Sequence, residues 1–201
     1  PSPWINDFGE LPLMPMSGGL KISDEDRACW PSHKAEEAHP YYYKVYLSEY
    51  DVTTEIAPTD RCAYFRFTFP KADDSYVVVD AFDRASWVKV LPEENTVVGY
   101  STRNSGGVTS NYRNFFVIQF DKPFADARVW DKYVIRNGKK EVGGEHAGAA
   151  IGFKTAKGEK ICAKVATSFV SLDQAYQNLK ELDGKDFEQT KDEAKAQWNK
   201  I

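Results

Sequence analysis

The sequence predicts a mainly β protein, a two-sheet antiparallel β-sandwich that is followed by one or two linker helices. Three observations lead to this fold class. Apolar and polar residues alternate from about residue 41 to residue 166, turn signals such as Asn137-Gly138 and Lys157-Gly158 recur at short intervals, and helical spacing begins only at residue 171. Short strands separated by turns are typical of an antiparallel sandwich, whereas a parallel sheet requires crossover helices between its strands.

The alternation also predicts which side chains form the core. We expect a sandwich over about residues 10 to 168 in which Phe65, Phe67, Phe116, Ile118 and Val165 point inward, because a slip of one residue would turn all of them toward water. The predicted strands span residues 41–47, 51–57, 61–69, 75–81, 87–91, 96–101, 114–120, 127–136, 148–155 and 160–167.

Two helices are predicted after the strands. The first covers residues 171–182, with Ser171 and Gln174 as a candidate capping box, and Asp183-Gly184 ends it. The second covers about residues 186 to 201.

Both ends of the chain lead us to expect a fragment of a longer protein. The chain opens in a loop, "PSPWINDFG", and closes within a helix whose apolar stripe includes Phe187, Ala194 and Trp198. We expect this stripe and the loop from Pro1 to Gly9 to be exposed or packed against another molecule, since large apolar patches seldom stay bare.

Composition excludes several classes of function. The chain has 201 residues and a formal net charge of −4, and its Lys and Arg residues are scattered. Nucleic acid is therefore not expected as a partner, because phosphate binding needs a concentrated positive surface. The apolar runs are only a few residues long, so no membrane span is predicted. Cys29, Cys62 and Cys162 are interpreted as structural thiols, with one disulfide among them as the alternative.

The sequence offers no complete catalytic set. In "HKAEEAH", His33 and His39 flank two glutamates, but the spacing is not that of a zinc-binding helix, and a solvated turn is favoured over a metal site. The acidic pairs Asp73-Asp74 and Glu93-Glu94 are interpreted as charges in solvated turns between strands. The glycine-rich stretch "RNSGGVTSN" lies between strands, with no helix start to bind phosphate. We expect neither catalytic residues nor metal ligands in this chain.

The opening loop is the one candidate binding element. Trp4 offers a flat apolar ring, and Asn6 and Asp7 add an amide and a carboxylate, which together suit the apolar face and hydroxyl rim of a sugar. The other interpretation is a hydrophobic plug, with Trp4 under a sheet and the Asn-Asp pair in a turn. The residues alone do not separate these two interpretations.

Several longer motifs resemble one enzyme family in the same order along the chain. They are "PSPWINDFGELPLMPMSGG", "HKAEEAHPYYYKVYL", "TDRCAYFRFTFP", "NFFVIQFDKPF", "AAIGFKT", "VATSFVSLDQAYQNLKEL" and "AQWNKI". They resemble the amino-terminal half of the bacterial family 92 glycoside hydrolases, which are exo-acting, calcium-dependent α-mannosidases. One departure is Pro40-Tyr41-Tyr42-Tyr43, where the family commonly has Pro-Gly-Tyr-Tyr.

The resemblance implies a division into domains. Residues 1–168 would form the β-sandwich, with the loop of residues 1–20 facing a missing catalytic domain, and residues 169–201 would form a helical linker toward a missing (α/α) barrel. That barrel would supply the catalytic carboxyl groups for an inverting hydrolysis. It would also bind the calcium ion, so no cofactor is expected in this chain.

The resemblance also implies the ligands and the location of the protein. The partners would be α-mannoside glycans of the N-glycan or mannan type, reached by Trp4, Asn6 and Asp7, in the periplasm or outside the cell. The alternative from the residues is a free-standing carbohydrate-binding β-sandwich module, or a structural or adhesive sandwich domain. A free-standing module should not end in two helices that leave an apolar stripe unsatisfied.

Overall fold

A computed structural model describes residues 11–30 and 33–200 of the chain. The strands are β1 (Leu13–Ser17), β2 (Glu36–His39), β3 (Tyr42–Leu47), β4 (Val52–Pro58), β5 (Cys62–Phe69), β6 (Ala72–Asp80), β7 (Ser86–Leu91), β8 (Thr96–Ser101), β9 (Asn114–Phe120), β10 (Asp126–Asp131), β11 (Val134–Ile135), β12 (Glu141–Gly144), β13 (Ala147–Thr155) and β14 (Glu159–Ser168). The α-helices are α1 (Asp24–Arg27), α2 (Leu172–Leu179) and α3 (Phe187–Trp198), and short 3₁₀ turns cover His33–Ala35, Pro92–Glu94 and Lys180–Leu182.

The strands form two antiparallel sheets, which confirms the predicted fold class. The five-stranded sheet has the order β1-β6-β13-β10-β11, and the nine-stranded sheet has the order β12-β7-β8-β9-β14-β5-β4-β3-β2. Long runs of paired residues fix the register, for example from Glu159 opposite Phe69 to Ala166 opposite Cys62 between β14 and β5.

Short elements account for most of the differences from the sequence prediction. The strands β1, β2 and β12 and the single turn of α1 were not predicted, because each is too short to show a period. The strand predicted over residues 127–136 is wrong as one element. It is a hairpin of β10 and β11 whose turn residues, Lys132 and Tyr133, have φ angles of +49° and +63°. Such turns usually contain Asn or Gly, so a Lys-Tyr pair gives no sequence signal for one.

The main core lies between the two sheets. Phe67, Phe116, Ile118 and Val165 are all buried within it, and Phe65 packs against its margin. The five inward-facing residues predicted from the alternation are therefore confirmed. The register that places them was fixed by one requirement, that the apolar side of each strand face the other sheet.

The two long helices cover part of the outer face of the nine-stranded sheet. There they close a second apolar cluster, whose buried members include Tyr42, Tyr64, Leu179, Leu182 and Phe187. The packing is specific, since the Phe187 ring meets the Tyr42 and Tyr64 rings edge to face with centroid distances of 6.4 Å and 5.8 Å.

The N-terminal cap of α2 forms only one of the two hydrogen bonds of the predicted capping box. The Ser171 hydroxyl accepts a hydrogen bond from the Gln174 backbone N–H at 3.1 Å, as expected. The Gln174 side chain instead donates to the Asn178 side chain at 2.9 Å, one turn further along the helix. A complete capping box is present at α3, between Asp186 and Gln189.

The expectation of an unsatisfied helix stripe is wrong for two of its three residues. Phe187 and Ala194 are only 4% and 7% exposed. The outer face of the sheet already provides Phe187 with an apolar surface. Trp198 is half exposed. The other element of that expectation, the loop from Pro1 to Gly9, lies outside the described residues.

Arg66 on β5 fastens α3 to the sheet. Its guanidinium donates two hydrogen bonds of 2.7 Å to the Glu55 carboxylate on β4 and one of 2.7 Å to Glu188 on α3. It also lies over the Phe187 ring, 4.0 Å from the centroid. Tyr42 completes the set by donating to Glu55 at 2.7 Å. A planar guanidinium thus joins two strands and a helix with directed bonds, which a lysine could not do.

Acidification is expected to weaken this attachment of α3. Hydrogen bonds from Lys191 and Arg66 lower the pKa of Glu188 from 4.5 to about 2. Burial alone would raise the pKa of Glu55, but the bonds from Arg66 and Tyr42 outweigh it and leave that pKa below 4.5. Since both folded-state pKa values lie below the unfolded ones, this stabilisation is complete above about pH 4.5 and is lost as the pH falls toward about 2.

The measurement is the thermal midpoint of unfolding as a function of pH in that window. The Glu188→Gln variant should show a smaller decrease between about pH 4.5 and 2 than the unaltered protein, because one of the two linked protons is gone. An identical decrease in both proteins would contradict a role for Glu188.

Candidate functional site

One end of the sandwich holds several of the irregular segments of the fold. Here β6 ends at Asp80 and β7 begins at Ser86, and the connections between β8 and β9, β10 and β11, and β12 and β13 lie at the same end. The chain also reaches β1 from this end, since the Asp80 N–H donates to the Pro12 carbonyl at 3.2 Å. We call residues 11–12, 80–85, 102–113, 132–133 and 145–146 the Asp80 end.

The Asp80 carboxylate is the centre of this end. It is only 1% exposed, and it accepts hydrogen bonds from the Phe82 N–H at 2.8 Å, from His146 Nε2 at 2.7 Å and from the Arg27 guanidinium. An ionised carboxylate can only accept, so the His146 ring carries its hydrogen on Nε2. Three donors from three segments converge on one buried anion.

Arg27 brings α1 to this cluster. Its side chain is 7% exposed, and it also donates to the Ile22 carbonyl, so the buried cation has two partners. The Tyr50 hydroxyl donates to the Arg27 carbonyl at 3.0 Å. A helix of one turn has little stability of its own, and these contacts hold it against the sandwich.

His146 is held on both sides. Its ring contacts the rings of Trp130 and Tyr133 at centroid distances of 5.2 Å and 5.0 Å. Its backbone N–H donates a hydrogen bond to the Asp131 carboxylate at 3.2 Å. Tyr133 in turn donates to Asp24 at 2.8 Å. Desolvation, with the bond to Asp24, raises the pKa of Tyr133 to about 12, and the same bond lowers the pKa of Asp24. The Tyr133 hydroxyl therefore stays protonated and acts as a fixed donor.

The turn between β6 and β7 has an unusual backbone. Phe82, Arg84 and Ala85 have φ angles of +63°, +70° and +73°, a region that residues other than glycine rarely adopt. Each such residue costs about 1–3 kcal/mol. Hydrogen bonds on both sides oppose this cost, with Asp80 accepting from Phe82 and Ser86 donating to the Phe82 carbonyl at 2.8 Å. The turn is thus held in its shape by its surroundings.

The glycine-rich loop lies against this turn. Thr102 donates its hydroxyl to the Arg84 carbonyl and, at 2.7 Å, to the Ala85 carbonyl. The Arg103 guanidinium covers the Phe82 ring at 4.1 Å, and Arg84 donates to the Asn104 carbonyl at 2.7 Å. Both loops therefore form one connected surface at the Asp80 end.

The Asp80 and Arg27 side chains hold the loops of this end in place and are poorly placed for catalysis. The buried charges of Asp80 and Arg27 are paired with each other and with fixed donors or acceptors, so the Asp80 carboxylate is not free for acid or base catalysis. Within residues 11–30 and 33–200, no group of three or more His, Cys, Asp or Glu side chains is arranged to hold a metal ion.

The histidines and acidic pairs considered in the sequence lie apart from this end or apart from each other. His33 pairs with Glu36 at 2.8 Å and His39 with Glu37 at 3.1 Å, as two separate contacts. Asp73 and Asp74 are exposed on β6 itself, so their placement in a turn was wrong, whereas Glu93 and Glu94 do lie in a 3₁₀ turn.

All three cysteines are free thiols, and two of them have a raised pKa. Cys29, Cys62 and Cys162 are free. Burial raises the pKa of Cys62 to about 11 and that of Cys162 to about 12. A thiol must ionise to act as a nucleophile, so these two are inert near neutral pH.

Comparison with known proteins identifies the family. The model of the glycosyl hydrolase family 92 N-terminal domain matches residues 1–168. The chain belongs to this family. No curated protein matches it.

Solved structures of family 92 enzymes have the same fold. A family GH92 inverting mannosidase from Bacteroides thetaiotaomicron VPI-5482 superimposes with a TM-score of 0.89 and 32% identity, over 94% of this chain and 26% of its own. A family GH92 α-mannosidase from Bacteroides thetaiotaomicron in complex with mannoimidazole superimposes with a TM-score of 0.85 and 28% identity. That match covers 96% of this chain and 28% of the mannosidase chain. The GH92 family glycosyl hydrolase ccman5 superimposes with a TM-score of 0.82 and 26% identity. That match covers 96% of this chain and 28% of the ccman5 chain.

The family 92 domain described here therefore spans 26–28% of the length of these solved chains. In its described part, no helix is long and apolar enough to cross a membrane.

The predicted sugar-contacting residues and the observed cluster are different sets. Trp4, Asn6 and Asp7 lie outside the described residues. Sequence reasoning missed Asp80, Arg27 and His146. The one available signal was the charged residue that closes the apolar run "VVVD", because an aspartate there must find a partner if the strand end is buried.

Removing the charge of Asp80 should destabilise the domain strongly. In the Asp80→Asn variant the Arg27 guanidinium stays buried without its counter-ion, which is expected to cost about 3–5 kcal/mol in the free energy of unfolding. Chemical denaturation measures this cost. The matched control is Asp73→Asn, an exposed aspartate on the same strand, which should change that free energy by no more than about 0.5 kcal/mol. Equal effects of the two variants would contradict the central position of Asp80.

Proposed function

We propose that this chain is the non-catalytic amino-terminal domain of an exo-acting, calcium-dependent, inverting α-mannosidase. The observation that carries the proposal is the family match over residues 1–168, together with a superposition on family GH92 mannosidases that covers nearly the whole chain. The domain supports a catalytic domain elsewhere in the protein and lends one loop to the sugar site. The protein acts on α-mannoside glycans of the N-glycan or mannan type, in the periplasm or outside the cell.

The carboxylates of the domain support its non-catalytic role. Inverting hydrolysis needs a general acid with a raised pKa and a base about 6.5–9.5 Å away, with room for a water molecule. At or beside the Asp80 end, Asp24, Asp80 and Asp131 each accept a hydrogen bond from a neighbouring donor. In the described part of the chain, every carboxyl group whose pKa is shifted has a lowered value, which is the reverse of what a general acid requires. These groups are Asp24, Glu36, Glu55, Glu141, Glu159, Glu181 and Glu188.

The carboxylates described above are also unsuited to bind a calcium ion. Calcium takes six to eight oxygen ligands, several of them carboxylate. The most buried carboxylates, Asp80 and Glu55, are already bonded to Arg27 and Arg66, and a second cation beside each guanidinium would be repelled. We therefore place the calcium ion of the proposed enzyme outside this domain.

The sugar-binding role is assigned to Trp4, Asn6 and Asp7. Leu11 and Pro12 reach β1 at the Asp80 end, next to the two loops that form a connected surface. We propose that the loop of residues 1–10 contributes its Trp ring and its two polar side chains to the sugar site near this end. Stacking on Trp4 would bind the apolar face of a mannose ring, and Asn6 and Asp7 would bind its hydroxyl groups.

One observation favours the free-standing carbohydrate-binding module as a second candidate. The burial of Phe187 and Ala194 within the chain means that the helices do not leave the apolar stripe that would argue against such a module. Calorimetric titration of this chain with mannosides separates the two, because a module should bind them on its own and the mannosidase domain should bind them weakly.

This chain alone should release no mannose from α-linked mannosides above background, with or without calcium. The full-length protein that carries it should release mannose, because removing the acid and base as a set removes most of a rate enhancement of at least about 10⁶-fold. The measurement is mannose release from an α-mannoside by each protein. Mannose release by this chain alone would overturn the proposed division of labour.

Truncation of the stacking ring should weaken substrate use in the full-length protein. Trp4→Ala is expected to lower kcat/KM by an amount equivalent to about 1–3 kcal/mol, with the sandwich still folded. Tyr46→Ala is the matched control, since Tyr46 is a partly exposed aromatic residue on β3 that bonds to Asp51 at the opposite end of the sheet. If kcat/KM is unaltered in the Trp4 variant, the loop is a hydrophobic plug.

A further inference from the structure

We propose that Asn137 is a site of spontaneous covalent modification, at which the side-chain amide is lost and an aspartate or isoaspartate residue takes the place of the asparagine. Asparagine is one of the thermolabile amino acids, and its lability depends on the residue that follows it and on the local backbone. Here the following residue is Gly138. The inference is independent of the proposed function, because it concerns the chemistry of one turn and involves no glycan.

The Asn137-Gly138 turn lies where the chain passes from one sheet to the other. β11 is an edge strand of the five-stranded sheet and β12 is an edge strand of the nine-stranded sheet, and residues 136–140 connect them. The Lys139 N–H donates to the Arg136 carbonyl at 3.1 Å, which closes a four-residue turn with Asn137 and Gly138 at its centre. Gly138 has a φ angle of +70°, a conformation that glycine adopts without strain.

The backbone nitrogen of Gly138 is an unhindered nucleophile. Modification requires this nitrogen to reach the side-chain carbonyl carbon of Asn137, and a side chain on the following residue would obstruct the approach. A Cβ atom at Gly138 would have no atom of a non-adjacent residue within 4 Å, so the surroundings of the turn are open as well. Lys139 donates the bond that closes the turn, and among the residues that the structure describes none accepts a hydrogen bond from the Gly138 N–H.

The Asn137 side chain is free to turn toward that nitrogen. It is exposed, and within residues 11–30 and 33–200 no group forms a hydrogen bond with its amide. Asn104 provides the contrast, since it precedes another small residue, Ser105. Its Nδ2 donates to the Thr102 carbonyl at 2.9 Å, and its Oδ1 accepts from the Gly106 N–H at 2.8 Å. Asn104 is therefore held, and Asn137 is not.

The reaction balances with water as the only other reactant. The Gly138 nitrogen forms a bond to Cγ of Asn137 and the Cγ–Nδ2 bond breaks. Ammonia leaves with the proton that the Gly138 nitrogen gives up, and a cyclic succinimide remains. Water then opens this ring. Attack of water at Cγ gives aspartate, and attack at the backbone carbonyl carbon gives isoaspartate, whose main chain runs through Cβ and Cγ. No group is oxidised or reduced.

The product changes the charge of a cleft beside the turn. Asn137 lines this open cleft together with Asp131, Arg136 and Glu141, and the Arg136 guanidinium donates to the Asp131 carboxylate at 3.2 Å. Conversion adds one negative charge to a chain whose formal net charge is −4, and it places that charge next to the Arg136–Asp131 pair in the sequence. Isoaspartate also lengthens the backbone of the turn by one methylene group.

Incubation of the folded protein at mildly alkaline pH, followed by peptide mapping with mass spectrometry, tests the proposal. The peptide that contains Asn137 should convert at least about tenfold faster than the peptide that contains Asn104, because the Asn104 side chain must first break two hydrogen bonds. The rate should rise with pH, since the Gly138 nitrogen attacks after it loses its proton. Labelling by a protein-isoaspartyl methyltransferase should identify isoaspartate at position 137.

The matched control is Asn137→Gln, which keeps a primary amide but must close a larger ring. This variant should lose the conversion at position 137 and keep the slow conversion at Asn104. Equal rates at Asn137 and Asn104 in the unaltered protein would overturn the proposal, as would undiminished conversion of the same peptide in the Asn137→Gln variant. Neither measurement uses mannose release, so the outcome leaves the proposed function untouched.

Discussion

A single buried carboxylate organises the irregular end of this domain. Asp80 ends a strand of valines in the core, and a bare anion there would be prohibitively costly. Its partners come from α1, from the connection between β12 and β13, and from the turn that follows it. These segments lie outside the two sheets, and each donates a hydrogen bond to the Asp80 carboxylate. The need to satisfy one charge therefore sets the conformation of all of them.

The desolvation cost of the buried Asp80 carboxylate raises the question of what the ion pair contributes, stability or one defined arrangement of the loops. An apolar residue in place of Asp80 would avoid the desolvation penalty, but it would provide no directed bonds for the Phe82 N–H, the Arg27 guanidinium or the His146 ring. Replacing a buried ion pair by apolar residues often leaves stability unchanged, so stability by itself does not explain the pair. What the ion pair adds is a fixed arrangement of loops on an otherwise regular sandwich.

On the outer face of the nine-stranded sheet, apolar contacts are the main attachment, in contrast to the charged cluster around Asp80. There the helices are attached by an apolar cluster, and Arg66 adds directed bonds to Glu55 and Glu188. The Phe187 ring lies between Tyr42, Tyr64 and the Arg66 guanidinium, so the angle at which α3 crosses the sheet is fixed by shape as well as by charge. A family 92 domain thus presents both its loops and its last helix in set positions. Rigid presentation of this kind is what the supporting role that we propose for this domain requires.

The sequence by itself determined the regular part of the fold. A period of two over ten segments required two sheets with apolar sides facing each other, and it placed Phe67, Phe116 and Ile118 in the core, because burial of one face leaves only one register. The change to helical spacing after residue 170 and the Asp183-Gly184 stop gave two helices, with boundaries close to those of α2 and α3. Long motifs indicated the family, and the family model matches residues 1–168, which contain the first five of these motifs.

Tertiary structure decided everything that depends on contacts between distant segments. Phe187 looks like part of a free apolar stripe in the sequence, and only the rings of β3 and β5 show that it is covered. The left-handed turn at Phe82, Arg84 and Ala85 contains no glycine, and its shape depends in part on the hydroxyl of Thr102, which bonds to the Arg84 and Ala85 carbonyls from outside the turn. Arg27 and His146 lie 53 and 66 residues from Asp80 along the chain. A charge cluster of that kind forms only when the sheets bring its members together, since each pairing depends on distance in space and not on spacing in sequence.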